Sequence, residues 1–314
     1  MKRVIYILFV AVLILSSCNR GNSSKVFDTP TSGVIIMAAD ESFAPIIKEE
    51  IDLFEYRYPN ASIIPIYAPE VEVMNLLLTD SVKLAISTRD FTPQEKELVR
   101  SKKMRPTSFK IAKDAIALII NKSNPDSMLT VKQVKDILTG KITSWSEINP
   151  KSKLKELSLT FDNKNSSTVR FALDSICKGE PLADKNIYAQ GTNEKVIDYV
   201  AATPGAIGVI GASWIGNEND STNLSFNQRV KVVALSRDGV ATAANSYQPY
   251  QAYIALDYYP FTRYVYVLDT SSRTGLARGF SNFLASDKGQ LVVFKAGMIP
   301  TTQQVRVKPV KITD

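Results

Sequence analysis

The chain of 314 residues contains no histidine. That absence removes Ser-His-Asp and Cys-His nucleophile triads, His-ligated zinc and imidazole acid–base chemistry together; catalysis by carboxylates or a Ser-Lys pair stays open. Cysteine is almost missing, with only Cys18 and Cys177 present. Lys and Arg outnumber Asp and Glu by 38 to 31, a formal net charge of +7. The excess is spread along the chain, without the basic block that marks nucleic-acid binding. No GxGxxG leads from a strand into a helix, so the glycines of Gly205 to Gly211 make no dinucleotide fingerprint.

What is present begins with an address. Lys2 and Arg3 precede the apolar run Val4 to Leu15, then Ser16, Ser17 and Cys18. A run this short falls below the ~20 residues a spanning helix needs and reads as a secretory signal over residues 1–17. Leu15-Ser16-Ser17-Cys18 is similar to a bacterial lipobox, which implies cleavage before Cys18, acylation of that cysteine and tethering to a membrane. Removing residues 1–17 takes away two bases and no acid, so the mature charge falls to +5. With Cys18 lipidated, Cys177 has no partner and the folded part carries no disulfide. Residues 18–32 are polar, rich in Asn, Ser and Thr, and read as a flexible tether.

Beyond the tether, short apolar runs alternate with amphipathic stretches. Val34 to Ala38, Ala61 to Tyr67 and Lys83 to Ser87 read as strands, separated by helices from Pro45 to Phe54 and from Val71 to Leu78. Thr92 and Glu95 have capping-box spacing ahead of another helix, as do Thr130 and Gln133, with Gly140 as the stop of the latter. Asp114 to Asn121, Leu157 to Phe161, Gly205 to Gly211 and Val265 to Leu268 are further strands; Asn193 to Ala202, a segment ending at Phe283 and Gly289 to Ala296 are further helices. The alternation argues for an α/β protein with largely parallel sheets, and the length for two lobes. In FDNKNSSTVRFALD, Asn165, Ser166, Ser167 and Thr168 stand between a strand and a helix. Helix entrances leave N–H groups free and are partly positive, so this segment serves either as an ordinary cap or as an oxyanion seat.

Several blocks resemble the extracytoplasmic phosphate-binding proteins of ABC importers, the PstS-like group of type 2 periplasmic binding proteins. They are LTVKQVKDILTGKITSWSEI (Leu129 to Ile148), DAIALIINKSNP before it, TPGAIGVIG (Thr203 to Gly211) after it, YYPFTRYVYV (Tyr258 to Val267) and FLASDKGQLVVFKAGMIP (Phe283 to Pro300). The resemblance implies two α/β lobes, each a mostly parallel sheet flanked by helices, with the ligand cleft between them. Lobe one would comprise residues 33–110 and 264–314, and lobe two residues 111–263.

It also implies a site built from three loops. Asp40, Glu41, Ser42 and Phe43 form the first, Ser87, Thr88 and Arg89 the second, and Asn165, Ser166, Ser167 and Thr168 the third. The implied protein is a monomeric, lipid-anchored carrier in the cell envelope. It delivers phosphate or a similar oxyanion to an ABC permease, with no cofactor, metal, nucleic acid or covalent chemistry. The chain departs from the family pattern in several places. Asn165 and Ser167 replace glycines, Asp162 stands where an arginine usually precedes the third loop, and Asp40 and Glu41 replace small hydroxyl residues. Arg170, in the first helical turn, is the candidate compensating cation. An acid beside the ligand is tolerable if it accepts a proton that monohydrogen phosphate has and sulfate lacks. Competing readings are a different small ligand on the same fold, and a surface sensor or adhesin lipoprotein; a neighbouring permease gene would favour import.

Overall fold

Residues 28–154, 156–216 and 225–303 are described by a computed structural model. The signal segment, Cys18 and most of the tether lie outside them. Among the described residues, no helix is long and apolar enough to cross a membrane.

Three parallel strands open the fold: β1 (Gly33–Asp40), β2 (Ala61–Ala68) and β3 (Leu84–Ser87). Helix α1 (Ala44–Arg57) and helix α2 (Glu70–Leu78) make the crossovers between them. A second parallel set, β6 (Ser158–Phe161), β7 (Ile187–Ala189) and β8 (Ala206–Gly211), lies at the other end of the same sheet. Two antiparallel strands join the sets. Strand β4 (Thr107–Ile120) pairs through its first half with β11 (Thr262–Asp269) and through Ile116–Ile120 with β8. The sequence signal in DAIALIIN covered only the second half of β4, because its first half mixes Ser108, Lys110 and Lys113 into the apolar pattern. The sheets are therefore parallel at their ends and antiparallel along the β4–β11 seam.

Two separate cores flank that seam. One gathers Phe43, Ile47, Phe54, Val267 and Phe280, with a satellite around Met74 and Leu77; the other gathers Ile116, Trp145, Phe161, Val209 and Tyr259. These are the hydrophobic centres of two lobes. Both expected capping boxes form, at Thr92/Glu95 and Thr130/Gln133, and Gly140 ends its helix at φ +76°.

The last residues of the expected tether, 28–32, are described, and they are docked. Asp28 accepts a hydrogen bond from the N–H of Leu276 at 2.7 Å, capping α9 (Leu276–Leu284), whose own N-cap residue is Gly275. A Cβ at Gly275 would meet the Asp28 carboxylate at 2.5 Å, and one at Gly279 would meet the Pro30 carbonyl oxygen at 1.8 Å. Residues 28–32 thus belong to the folded body; polar composition concealed the docking because the contacts are made by one carboxylate and by backbone.

Gly208, in the middle of β8, lets helix α7 (Asn193–Ala202) lie close on the sheet. A Cβ there would stand 2.7 Å from Ile119 Cγ1 and Val196 Cγ1 and 2.9 Å from Val200 Cγ2. Gly208→Ala is expected to lower stability by roughly 1–3 kcal/mol through overpacking, measurable as an earlier denaturant midpoint. An unchanged midpoint would mean that α7 can move off the sheet at no cost.

Candidate ligand site

The chain leaves β1 at Asp40 and makes one 3-10 turn, Glu41–Phe43, before α1. Asp40 Oδ1 caps that turn by accepting from the Ser42 N–H at 2.9 Å, which fixes the carboxylate at the carboxyl end of a strand, facing the other lobe. Asp40 and Ser42 are buried, and neither Asp40 Oδ2 nor the Ser42 hydroxyl has a partner among the described residues. From the second lobe comes the segment after β6. Ser166 caps the short helix α6 (Ser167–Phe171), its hydroxyl lies 2.8 Å from that of Thr168, and Thr168 donates to Asp162 Oδ1 at 2.5 Å. Ser166, Ser167, Thr168 and Asp162 are all buried.

The cation of this cage is Arg263, on β11. It lies directly across the β4–β11 ladder from Asp114, and its Nε donates to Asp114 Oδ2 at 2.9 Å. Its Nη1 donates to the Ser167 hydroxyl at 2.7 Å, its guanidinium carbon sits 4.9 Å from the centre of the Phe43 ring, and its Nη2 is buried without a partner among the described residues. Gly211, at the end of β8, permits the convergence. A Cβ there would lie 3.3 Å from the Ser42 carbonyl oxygen and 3.5 Å from Arg263 Nη2.

Burial dominates the electrostatics. It pushes the Asp40 carboxyl up to about 6, against the pull of Arg263 and helped by the charges of Glu70 and Asp162. Burial also raises Asp162, opposed by the Thr168 and Ser166 hydroxyls, and raises Asp114 against its pairing with Arg263. Glu41 is pushed up to about 7, again mainly by burial; it faces the other lobe, where Asn193 donates its side-chain and backbone N–H groups to Glu41 Oε2. The side-chain Oδ1 of Asn193 accepts in turn from the Gly211 N–H at 3.3 Å.

The second expected loop is diverted. Ser87 Oγ, Thr88 N and Thr88 Oγ1 all donate to Glu70 Oε1, at 2.8, 2.8 and 2.7 Å. Arg170 crosses from the second lobe to the same carboxylate, Nε to Oε2 at 2.5 Å, and donates through Nη2 to Thr88 Oγ1 at 2.6 Å. Arg89 turns its fork onto Glu95, with two parallel bonds of 2.7 Å. Asn165 is exposed and contributes its carbonyl to the Val71 N–H at 3.3 Å rather than a side chain to the cage. In this structure Ser87, Thr88 and Arg170 are engaged by Glu70 and Arg89 by Glu95, so these expected ligand contacts are met inside the chain. Asp40, Ser42, Phe43, Ser166, Ser167 and Thr168 are brought together, with Glu41 at the rim.

Sequence reading missed Arg263, Glu70, Asn193 and Gly211 as site residues. Arg263 carried a signal: an arginine between Phe261 and Val265 in an apolar strand must be buried, and a buried charge demands partners. Glu70 carried none, because only the fold brings it to Ser87 and Arg170.

Comparison with known proteins bears on the family and the fold. Residues 27–288 match the model of the PBP superfamily domain. The phosphate-binding protein PstS of Bacillus subtilis (strain 168) is 25% identical over 320 residues, covering 96% of this chain and 94% of the relative. A putative phosphate ABC transporter substrate-binding protein from Clostridium perfringens, solved with bound phosphate, aligns with a TM-score of 0.70 at 21% identity, over 86% of this chain and 100% of that one. An ABC-type phosphate transport receptor from Vibrio cholerae gives 0.63 at 19%, over 86% and 100%. At these identities the structural likeness establishes the fold.

Proposed function

The chain belongs to the PBP superfamily, and from that premise we propose that it is an extracytoplasmic solute-binding lipoprotein. It captures inorganic phosphate or a related oxyanion and hands it to an ABC permease, without covalent chemistry. One observation carries the reading: Arg263 Nη2, Ser42 Oγ and Asp40 Oδ2 are buried and unpartnered among the described residues, and they belong to groups that meet in one cage. The set offers a cationic donor, a neutral hydroxyl donor and an acid that accepts a proton. Monohydrogen phosphate supplies the complement, oxygens for the donors and an O–H for the acid. Residues 33–110 with 264–314 would close against residues 111–263, binding energy favouring the closed form that the permease recognises. The lipobox at Cys18 supports anchoring at the membrane, and the +5 mature charge favours encounter with anions.

Calorimetry of the mature domain against phosphate, sulfate and molybdate tests this reading. Heat with phosphate and not with sulfate at pH 8 is the expected result; silence toward every oxyanion overturns it. The pH dependence has a definite sign. Phosphate brings its own proton, whereas sulfate can bind only where Asp40 already holds one, below its raised pKa of about 6. Sulfate affinity is therefore expected to fall roughly tenfold per pH unit above that value. Asp40→Asn, which removes the titratable carboxylate and sets an NH2 donor beside one neutral acceptor, is expected to flatten that dependence and to narrow the phosphate–sulfate gap by roughly 5- to 100-fold. An unaltered gap in this variant would remove Asp40 from the selectivity.

A further inference from the structure

Glu70 is 2% exposed, yet its carboxylate accepts from Ser87 Oγ, Thr88 N, Thr88 Oγ1 and two nitrogens of Arg170. Burial alone would raise such a group. The Arg170 fork and the Thr88 and Ser87 donors outweigh it and hold the carboxyl at about 2. A hydroxyl pair, a backbone N–H and a guanidinium form a donor set suited to an external oxyanion. Here the oxyanion is part of the chain. It stands at the first position of α2, in the lobe of β1 to β3, while Arg170 reaches it from α6 in the other lobe.

We propose that the Glu70 carboxylate is a built-in anion occupying one oxyanion position of the interlobe cleft, where it latches the lobes through Arg170 and confines the captured solute to the smaller cage around Asp40, Ser42, Ser167 and Arg263. The confinement rests on reading that cage as an oxyanion site; the occupied donor set does not. Two consequences follow. The second loop contributes to specificity by exclusion, since its donors are satisfied before any solute arrives. The closed arrangement also has a stabilising contact of its own, so closure depends less on the solute than it would if the second loop had to be bridged by ligand. Other contacts across the cleft accompany the latch: Ser213 and Trp214 both donate to the Ser42 carbonyl oxygen at 3.1 Å, and Asn193 holds Glu41. None of these involves a pair of full charges.

Chemical rescue tests the proposal. Glu70→Ala removes the tethered carboxylate and leaves a cavity lined by Ser87, Thr88 and Arg170. In the mature protein this variant is expected to gain a saturable stabilisation by formate, with a Tm rise of roughly 2–4 °C that wild type does not show. Adding Arg170→Leu to it should abolish the rise. A folded Glu70→Ala protein that responds to formate no more than wild type overturns the proposal. If Glu70→Ala does not fold, Glu70→Gln keeps the shape and removes the charge. Small-angle scattering without solute should then give a larger radius of gyration than wild type, and an unchanged radius overturns the latch. Phosphate calorimetry on wild type is read separately. Formate rescue together with silent phosphate sinks the oxyanion reading of the cage, and with it the confinement, while leaving the internal anion; phosphate binding without rescue does the reverse.

Discussion

Arg263→Met is expected to weaken phosphate binding by roughly 30- to 1,000-fold, the range for truncating one partner of a buried, hydrogen-bonded charge pair. The same substitution strands Asp114, which is 1% exposed and has Arg263 as its cationic partner. An unpaired buried carboxylate costs about 3–5 kcal/mol, so the variant should also unfold at markedly lower denaturant. The two effects separate in Arg263→Met/Asp114→Asn, where the stranded charge is gone. That double variant should recover most of the stability and none of the binding. Calorimetry and urea titration on both proteins read the two quantities independently, and near-wild-type phosphate binding by the double variant would show that the solute's charge is met elsewhere. Arg89→Ala is the informative contrast. Arg89 is fully engaged by Glu95 at the start of α3 (Pro93–Ser101), so its loss should leave phosphate affinity nearly unchanged.

The contrast between Arg263 and Arg89 shows where the sequence was legible. Strand and helix positions followed from local patterns, because Gly33–Asp40, Ala61–Ala68 and Asn193–Ala202 each bury a contiguous or periodic apolar set with its own caps and stops. The turn at Asp40 and the helix entrance at Ser166 were legible for the same reason, since capping is a local chemistry. Pairings between distant charges were not. Arg263 meets Asp114 only because β11 and β4 run antiparallel in one particular register, and Glu70 meets Arg170 across 100 residues of sequence. Asp162 illustrates the point from the other side. An acid in place of a familial arginine looked like a reversed charge at the site, yet its carboxylate is occupied by Thr168, and the cation arrives from another strand.

The second large effect concerns a residue outside the cleft. Helix α1 buries Ile46, Ile47, Ile51 and Phe54 as its spacing predicts, but Glu50 shares that face, is 1% exposed and has neither carboxyl oxygen partnered among the described residues. Its surroundings include Phe43, Ile111, Val265 and Met298. Burial, reinforced by the neighbouring charge of Glu49, pushes its carboxyl from an ordinary 4.5 up to about 9. The folded protein therefore holds this proton more tightly than the unfolded chain does. The sign follows: the contribution is fully present below about 4.5 and is lost as pH rises toward 9. At ~1.4 kcal/mol per unit, the loss between about pH 5 and pH 8 amounts to roughly 4 kcal/mol. Glu50→Gln removes the titration and should leave a nearly flat stability profile over that interval; Glu50→Leu should add stability at every pH by also relieving an unpaired buried polar group, worth about 1–3 kcal/mol. Urea midpoints measured across the interval decide the matter. A wild-type profile as flat as that of Glu50→Gln would mean that Glu50 is hydrated or paired in solution, and the proposed phosphate cage, about two turns away at Ser42 and Phe43, would then sit on a more open first lobe than the packing of α1 implies.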